Sequence, residues 1–272
     1  MRTLATLLVG ATVLHVLAVP VTVGVVQHAR TAKSGSAAAV LAANTEAYVR
    51  DLYTAADANV SLLVFPEFGL FTPDFANSCS TPTSPMDFCM PIPAVGEAPC
   101  DAPAGTWHDS LVNISCAVQA TGITTLVDLC ETAANGTAFN TALIFGPDGA
   151  VLAVYRKMHP WEEKCFQPAE ENLVTFTHKG SAPIGVFVCK DILYSTPGPA
   201  LAKAGVRHFV YSAQIPIVGS AAQAGWSGLY NATLIASDQG DGQSGVYLQG
   251  KRITKASWVT SADEVIVAQV EL

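Results

Sequence analysis

Charged residues are scarce in this sequence, and positively charged residues are the scarcest. Only 13% of the 272 residues are charged, and 22 Asp and Glu outnumber 14 Lys and Arg, which gives a net charge of −8. An acidic chain without a Lys/Arg cluster lacks the electrostatic footprint of a protein that binds nucleic acid or an anionic membrane. Because 50% of the residues are hydrophobic, disorder is not expected either. We therefore expect a globular protein with no nucleic-acid partner.

The sequence also lacks the usual marks of a cofactor or metal site. No Gly-rich phosphate loop follows a strand-like run, so a nucleotide cofactor is not indicated. The six His residues show no paired ligand spacing, and no C-x-x-C occurs. No internal repeat is visible. The sequence thus predicts neither a cofactor nor a metal ion.

Only the N-terminus contains a long hydrophobic run. Arg2 provides a positive charge, residues 4–19 are almost wholly apolar, and Val16 with Ala18 suits cleavage after Ala18. This pattern predicts a signal peptide over residues 1–18 and a secreted protein, with a core strand or a membrane anchor as the alternatives. No later stretch is long and apolar enough to span a membrane. Residues 19–272 are then expected to form a single large domain.

The cysteine content agrees with secretion. An odd number of cysteines, seven, leaves one thiol over in an oxidising compartment. Cys189 is the candidate to stay free because it ends a predicted strand, whereas the other six lie in the loop-rich middle. The first pairings we expect among them are Cys100–Cys116 and Cys79–Cys89. Four glycosylation sequons point the same way, at Asn59, Asn113, Asn135 and Asn231.

Strand-like and helical segments alternate along the chain, which predicts a layered α/β domain. Helices are predicted over 37–58, from Asp109 as the cap to about Thr121, and after Pro199. Residues 72–107 are predicted to form a long loop pinned by disulfides, and the turn at 146–149 to join a hairpin. Strands are predicted over 21–26, 61–65, 123–129, 139–145, 150–155, 183–188, 206–211 and 264–272.

Three of these strand-like runs end in an ionisable group. They end at Glu67, at Lys157 and at Cys189. A lone buried carboxylate or ammonium is costly, so Glu67 and Lys157 are expected to meet as a pair. A thiol beside them would have a base to take its proton and a cation to stabilise an oxyanion. The alternative is that each residue merely marks where its strand reaches solvent.

Glu, Lys and Cys in this order, each after a hydrophobic strand, resemble the nitrilase or carbon–nitrogen hydrolase superfamily. The segments Tyr155-Arg156-Lys157 and Gly185-Val186-Phe187-Val188-Cys189-Lys190-Asp191-Ile192-Leu193 resemble its vanin (pantetheinase) and biotinidase branch. The resemblance covers roughly Val21 to the C-terminus. It implies a four-layer α-β-β-α sandwich with Glu67, Lys157 and Cys189 as the catalytic residues.

The resemblance also implies a reaction. The chain would hydrolyse the C–N bond of a linear carboxamide, of the pantetheine or biotinyl amide type, through a Cys189 thioester. Glu67 would act as the base, while Lys157 and the backbone N–H of Lys190 would hold the oxyanion. A catalytically inactive secreted glycoprotein that binds small amides or partners on the same scaffold is the alternative. The oligomeric state does not follow from the sequence.

Further residues are candidates for the same site. A second Glu supports the Lys in the resembled family, and Glu163 is favoured over Glu162, with a solvated acidic pair as the alternative. Tyr211 and Trp226 are candidates for the acyl pocket, although aromatic residues there also suit simple core packing. Vanins and biotinidase carry an aromatic residue at the position of Lys190. Its ammonium group is expected to lower the pKa of the Cys189 thiol further.

Overall fold

Two six-stranded sheets form the centre of the protein. The computed structural model describes residues 19–28, 34–71, 85–161, 164–215, 217–239, 242–255 and 263–272. The α-helices of this part of the chain are α1 (Ala37–Asp57), α2 (Asp109–Thr121), α3 (Gly198–Lys203) and α4 (Gly219–Leu229). Its strands are β1 (Pro20–Gln27), β2 (Leu62–Val64), β3 (Thr124–Thr132), β4 (Ala138–Phe145), β5 (Val151–Arg156), β6 (Thr175–Phe176), β7 (Ile184–Val188), β8 (His208–Ala213), β9 (Thr233–Asp238), β10 (Gly245–Leu248), β11 (Lys251–Arg252) and β12 (Glu264–Glu271).

Each sheet is mixed, with a parallel centre and antiparallel edges. The first sheet has the strand order β12-β1-β2-β3-β4-β5 and the second has the order β11-β10-β9-β8-β7-β6. β1, β2 and β3 run parallel, as do β7, β8 and β9. Parallel neighbours need a crossover, and the four α-helices supply these connections.

Successive side chains along the strands point to opposite faces of the sheet and so contribute to two separate hydrophobic cores. Leu62 and Val64 face the second sheet, in a core that also contains Val186 of β7. Leu63, between them, faces outward into a second core, together with Leu52 of α1. α1 and α2 therefore cover the outer face of the first sheet, while α3 and α4 pack against the second. The four-layer α-β-β-α sandwich that the sequence predicted is confirmed.

Most predicted elements are present, with corrections at their ends. Asp109 is the first residue of α2 rather than its cap, because the side chain of His108 accepts the hydrogen bond from the Ser110 N–H. The strand predicted over 206–211 is β8, two residues later. β9, β10 and α4 were not predicted, since α4 is rich in Gly and Ala and carries a weak helical pattern. None of the helices in the described ranges is long and apolar enough to cross a membrane.

Disulfides pin the loop that the sequence predicted before α2. Cys100–Cys116 forms as expected and joins a short 3₁₀ turn to α2. The expected Cys79–Cys89 pairing is wrong, because Cys89 pairs with Cys130 on β3. Cys165 is also disulfide-bonded. Among the described residues Cys189 is the free cysteine, as predicted, and it is buried.

Candidate active site

The three predicted catalytic residues come together between the two sheets. Glu67 lies in the turn that follows β2, and Lys157 directly follows β5 at the edge of the first sheet. Cys189 directly follows β7 of the second sheet and begins a 3₁₀ turn. The strand ends therefore deliver a carboxylate, an ammonium and a thiol to one place, although the residues are far apart in sequence.

Glu67 and Lys157 form a buried ion pair. Lys157 Nζ lies 2.7 Å from Glu67 Oε1, and the two side chains are 0% and 1% exposed. Asn140, on β4, donates a second hydrogen bond to the same oxygen from Nδ2 at 2.9 Å. Lys157 itself is positioned by its backbone N–H, which donates to the Asn140 carbonyl at 2.8 Å. Pairing and hydrogen bonding offset the desolvation of the two charges, as the sequence argument required.

The Cys189 thiol is held neutral beside this pair. It is hydrogen-bonded to the Glu67 side chain and faces the backbone of Gln214. Burial, followed by the negative charge of Glu67, raises the pKa of Cys189 well above its usual value, and Lys157 opposes this only in part. The expectation that Lys190 lowers this pKa further is wrong, because Lys190 Nζ is directed instead to the Pro160 carbonyl at 3.2 Å.

The backbone at both reacting groups adopts an uncommon conformation. Cys189 has φ 47° and Phe68, next to Glu67, has φ 55°, values that non-glycine residues rarely take. Phe68 is held there because its N–H donates to Asp128 Oδ1 at 3.1 Å. Tyr211 supports the nucleophile by donating from Oη to the Cys189 carbonyl at 2.8 Å. Hydrogen bonds from neighbouring strands thus fix both turns in place.

Asp191 connects the turn of the nucleophile to the hairpin that carries Lys157. One carboxylate oxygen accepts from Tyr155 Oη at 2.6 Å and from the Val188 N–H at 3.1 Å. The other oxygen accepts from the His159 backbone N–H at 3.0 Å and lies 2.7 Å from His159 Nδ1. Burial and the Asp191 charge raise the pKa of Tyr155 far above its usual range. Asp191 therefore fixes the distance between Cys189 and the end of β5.

The remaining predicted site residues lie in different settings. Lys190 packs over the ring of Trp161, with 5.3 Å between Nζ and the ring centroid. Tyr211 is buried under the nucleophile. Trp226 packs among aromatic rings, 4.8 Å from Phe187 between centroids, and its role in an acyl pocket stays a prediction. Glu162 and Glu163 lie outside the described residues.

A separate groove of about 1580 Å³ lies beside the hairpin but does not include the three residues. Its lining contains Arg156, which forms a bidentate ion pair with Glu131, together with Phe139 and Glu170. None of Glu67, Lys157 and Cys189 lines it. We place the candidate active site at the buried thiol, because a nucleophile, a base and a cation meet there.

Sequence reasoning missed three residues that complete the site. Asn140 could have been noticed, since it is an amide inside the largely apolar run of β4. Asp191 belongs to the segment that resembles the vanin branch, but the sequence did not indicate its role. Gln214 follows β8 and offers its backbone to the thiol, for which side-chain patterns give no signal.

Comparison with known proteins identifies relatives along most of the chain. A family model described as carbon-nitrogen hydrolase matches residues 22–239. Vanin-like protein 1 of Drosophila melanogaster is 29% identical over 211 residues, which are 68% of this chain and 36% of that protein. Biotinidase of Mus musculus is 30% identical over 197 residues, which are 65% of this chain and 37% of that protein. The matches thus span well under half the length of these curated relatives.

Solved structures show the same fold at lower identity. A branch 10 member of the nitrilase superfamily from Saccharomyces cerevisiae superposes with a TM-score of 0.74 at 17% identity, covering 94% of this chain and 92% of the other. An amidase from Nesterenkonia sp. gives a TM-score of 0.66 at 18% identity, covering 92% of this chain and 90% of the other. Since the family model matches most of its length, this chain belongs to the carbon–nitrogen hydrolase family.

Proposed function

We propose that this protein is an amidohydrolase that cleaves the C–N bond of a linear carboxamide through a thioester on Cys189. One observation carries the proposal. A buried free thiol is hydrogen-bonded to a carboxylate that is itself ion-paired with a buried ammonium, 2.7 Å away. A scaffold that only binds ligands gains nothing from burying three ionisable groups in this arrangement.

Acylation begins with a neutral thiol, as the raised pKa of Cys189 requires. Glu67 accepts the thiol proton while the sulfur bonds to the amide carbon, and the carbonyl π electrons move to oxygen. Lys157 and the backbone N–H of Lys190 stabilise that oxyanion, and each such donor is worth roughly 10²–10³-fold in rate. Glu67 then gives its proton to the departing nitrogen as the C–N bond breaks, which leaves a thioester and a free amine.

Deacylation uses the same groups in the reverse order. Glu67 takes a proton from water, whose oxygen attacks the thioester carbon, and the oxyanion forms again beside Lys157. The C–S bond breaks, the sulfur recovers the proton from Glu67, and a carboxylic acid leaves. General-base assistance of this kind contributes roughly 10²–10⁴-fold. Asn140 holds the Glu67 carboxylate in place through both halves of the reaction.

The substrates we favour are amides of the pantetheine or biotinyl type. Vanin-like and biotinidase proteins are among the relatives of this chain, at about 29–30% identity. Both candidate substrates present a linear secondary amide, which suits attack by a thiol between two sheets. Lys190 stands where vanins and biotinidase carry an aromatic residue, and its ammonium group lies over the Trp161 ring.

We also propose that the protein is secreted and glycosylated. The two described disulfides, Cys89–Cys130 and Cys100–Cys116, are typical of an oxidising compartment. All four sequon asparagines are exposed, as glycan attachment requires: Asn59, Asn113, Asn135 and Asn231. The signal peptide predicted over residues 1–18 lies outside the described residues. A mass decrease on treatment of the secreted protein with a peptide N-glycosidase tests glycosylation.

The assay that tests the activity uses the purified secreted protein with pantetheine and, separately, with biocytin. We expect release of cysteamine or of lysine, and loss of that release in Cys189→Ala. Binding without turnover by the wild type would favour the alternative of an inactive amide-binding glycoprotein. Equal turnover by wild type and Cys189→Ala would contradict the thioester mechanism.

A further inference from the structure

Asp238 is a buried carboxylate that takes no direct part in the proposed reaction. It is the last residue of β9 and is 0% exposed. Its register partner on the parallel strand β8 is Ala213, after which the chain leaves the sheet. The next residue, Gln214, is the one whose backbone faces the Cys189 thiol. Asp238 therefore lies beside the segment that borders the nucleophile.

Both oxygens of the Asp238 carboxylate accept hydrogen bonds, and the donors belong to different parts of the fold. Oδ1 accepts from the N–H of Ile215, which directly follows Gln214, at 2.8 Å. Oδ2 accepts from Gln223 Nε2, on α4, at 2.9 Å. The carboxylate thus joins the segment after β8 to helix α4, and it fixes the backbone on one side of Gln214.

The backbone of Asp238 is itself held by two further contacts. Its N–H donates to Oγ of Ser244, which directly precedes β10, at 2.9 Å, and its carbonyl accepts from Gln27 Nε2 of β1 at 3.2 Å. Gly219, the first residue of α4, leaves room for the carboxylate, because an added Cβ would collide with Oδ2. The N-terminus of a helix favours negative charge, so the start of α4 is a suitable place for this buried group.

The contact between Gln214 and Cys189 is made by a backbone N–H. Burial is the main influence on the pKa of Cys189 and raises it, whereas the backbone of Gln214 acts to lower it. A backbone group that favours the thiolate must donate a hydrogen bond, because a carbonyl oxygen would favour the protonated thiol. The Gln214 N–H is therefore directed at the sulfur. Negative charge develops there when Glu67 takes the thiol proton, and again when the C–S bond breaks.

We propose that the Gln214 N–H stabilises the Cys189 sulfur while it carries negative charge, and that Asp238 is the positioning residue that holds this N–H in place. The inference rests on the proposed function of Cys189 as a nucleophile. Sulfur carries negative charge in both halves of that reaction, first as the attacking group and later as the leaving group. A donor at the sulfur acts in both steps, whereas Lys157 and the Lys190 N–H act on the carbonyl oxygen.

Alkylation of Cys189 by iodoacetamide tests this inference without any amide substrate. The reagent reacts with the thiolate, so its rate at constant pH follows the stability of the charged sulfur. Asp238→Ala releases the Ile215 N–H, and we expect alkylation about 10-fold slower than in the wild type. We also expect kcat for amide hydrolysis to fall about 10-fold with little change in KM, because the donor contacts the sulfur rather than bound substrate.

A conservative variant separates the position of the backbone from the charge of the side chain. Asp238→Asn removes the negative charge but keeps an oxygen for the Ile215 N–H. Gln223 can turn its amide over, and its Oε1, which lacks a hydrogen-bond partner among the described residues, would then accept from the nitrogen that the substitution introduces. We expect Asp238→Asn to react at close to the wild-type rate. Equal slowing in Asp238→Asn and Asp238→Ala would overturn the assignment, because charge rather than position would then matter.

Two further variants separate this effect from a general loss of structure. Ser227→Ala removes a buried hydrogen bond of α4, from Oγ to the Ala232 carbonyl at 2.6 Å, and should lower the unfolding midpoint without slowing alkylation. If Asp238→Ala does not fold, Gln223→Ala takes its place, and loss of the Oδ2 contact should slow alkylation about 3-fold. A folded variant that reacts as fast as the wild type overturns the inference. A wild type that is alkylated but hydrolyses no amide would contradict the proposed function and leave the alkylation result standing.

Discussion

Two buried clusters of ionisable groups flank the turn around Glu67, one built on a Glu–Lys ion pair and the other on a His–Asp pair. Glu67 is paired with Lys157 at 2.7 Å and hydrogen-bonded by Asn140. On the other side, His28 meets Asp51 and Asp263 while its second nitrogen contacts the Gly69 carbonyl. Both clusters are removed from water, so the difference lies in their charge balance rather than in their exposure.

This difference indicates what each cluster can do. Because the Lys157 ammonium compensates its charge, Glu67 stays available as a base without any added ligand. A catalytic centre needs such a base in every turnover. In the second cluster, burial and the neighbouring Asp263 raise the pKa of Asp51 to about 8, so Asp51 carries a proton at neutral pH and the repulsion between the two carboxyl groups is relieved. The predictions below remove or neutralise charges to test this distinction.

The largest effect is expected from removing the internal cation. Lys157→Ala leaves the buried Glu67 carboxylate unpaired, which should cost about 3–5 kcal/mol of unfolding free energy. Loss of the oxyanion partner should reduce turnover by at least about 100-fold. Urea denaturation and the amide assay measure the two effects, with Lys203→Ala, an exposed cation on α3, as the control. A Lys157→Ala protein as stable as the control would show that the pair does not compensate Glu67.

A double variant separates charge balance from catalysis. Glu67→Gln with Lys157→Met removes both charges, so neither partner is left buried alone. We expect the double variant to be more stable than Lys157→Ala and to be as inactive, because the base and the oxyanion cation are both absent. Denaturation midpoints and turnover for the two proteins give the comparison. Recovery of activity along with stability would mean that these groups are structural.

A smaller effect is expected from the residue that orients the base. Asn140→Ala removes the 2.9 Å hydrogen bond to Glu67 Oε1 but leaves the ion pair. We expect kcat to fall on the order of 10-fold with little change in KM, because the contact acts on the base rather than on bound substrate. Steady-state kinetics check this. A rise in KM at constant kcat would instead place Asn140 in contact with the substrate.

The smallest effect is expected at His178, a buried side chain whose partners are neutral hydroxyl groups. His178 lies between Ser61 and Thr124, and burial lowers its pKa from 6.5 to about 4. A depressed folded-state pKa means that its stabilisation is complete above pH 6.5 and is lost as pH falls towards 4. We expect the wild type to lose on the order of 1 kcal/mol more than His178→Gln over this window. Parallel loss in both proteins, measured by urea denaturation at each pH, would assign acid sensitivity to other groups.

The sequence predicted the catalytic candidates better than it predicted their surroundings. Glu67, Lys157 and Cys189 each follow an apolar strand, and the cost of burying single charges predicts that Glu67 and Lys157 meet, while the family resemblance adds Cys189 to the pair. The His28 cluster could not be predicted in this way, because its members lie just after β1, on α1 and just before β12, and meet only through sheet register.

The hydrogen bonds that hold the turn of Cys189 in place could not be predicted from the sequence either. Asp191 and Tyr211 act on the nucleophile through contacts that depend on how β7 and β8 lie beside the hairpin. The Cys79–Cys89 pairing failed for a related reason. The loop segment of Cys89 lies alongside β3, where Met90 forms a bridge with Glu131, so Cys89 meets Cys130 rather than the cysteine nearest to it in sequence.

Trapping of the acyl intermediate tests the central claim most directly. The wild-type protein is mixed with pantetheine or biocytin, quenched in acid during turnover, digested and mapped by mass spectrometry. The account predicts an added acyl mass on the peptide that contains Cys189, absent from Cys189→Ala and, because the base is missing, from Glu67→Gln. An acyl group on another residue, or full acylation of Cys189 in Glu67→Gln, would contradict it.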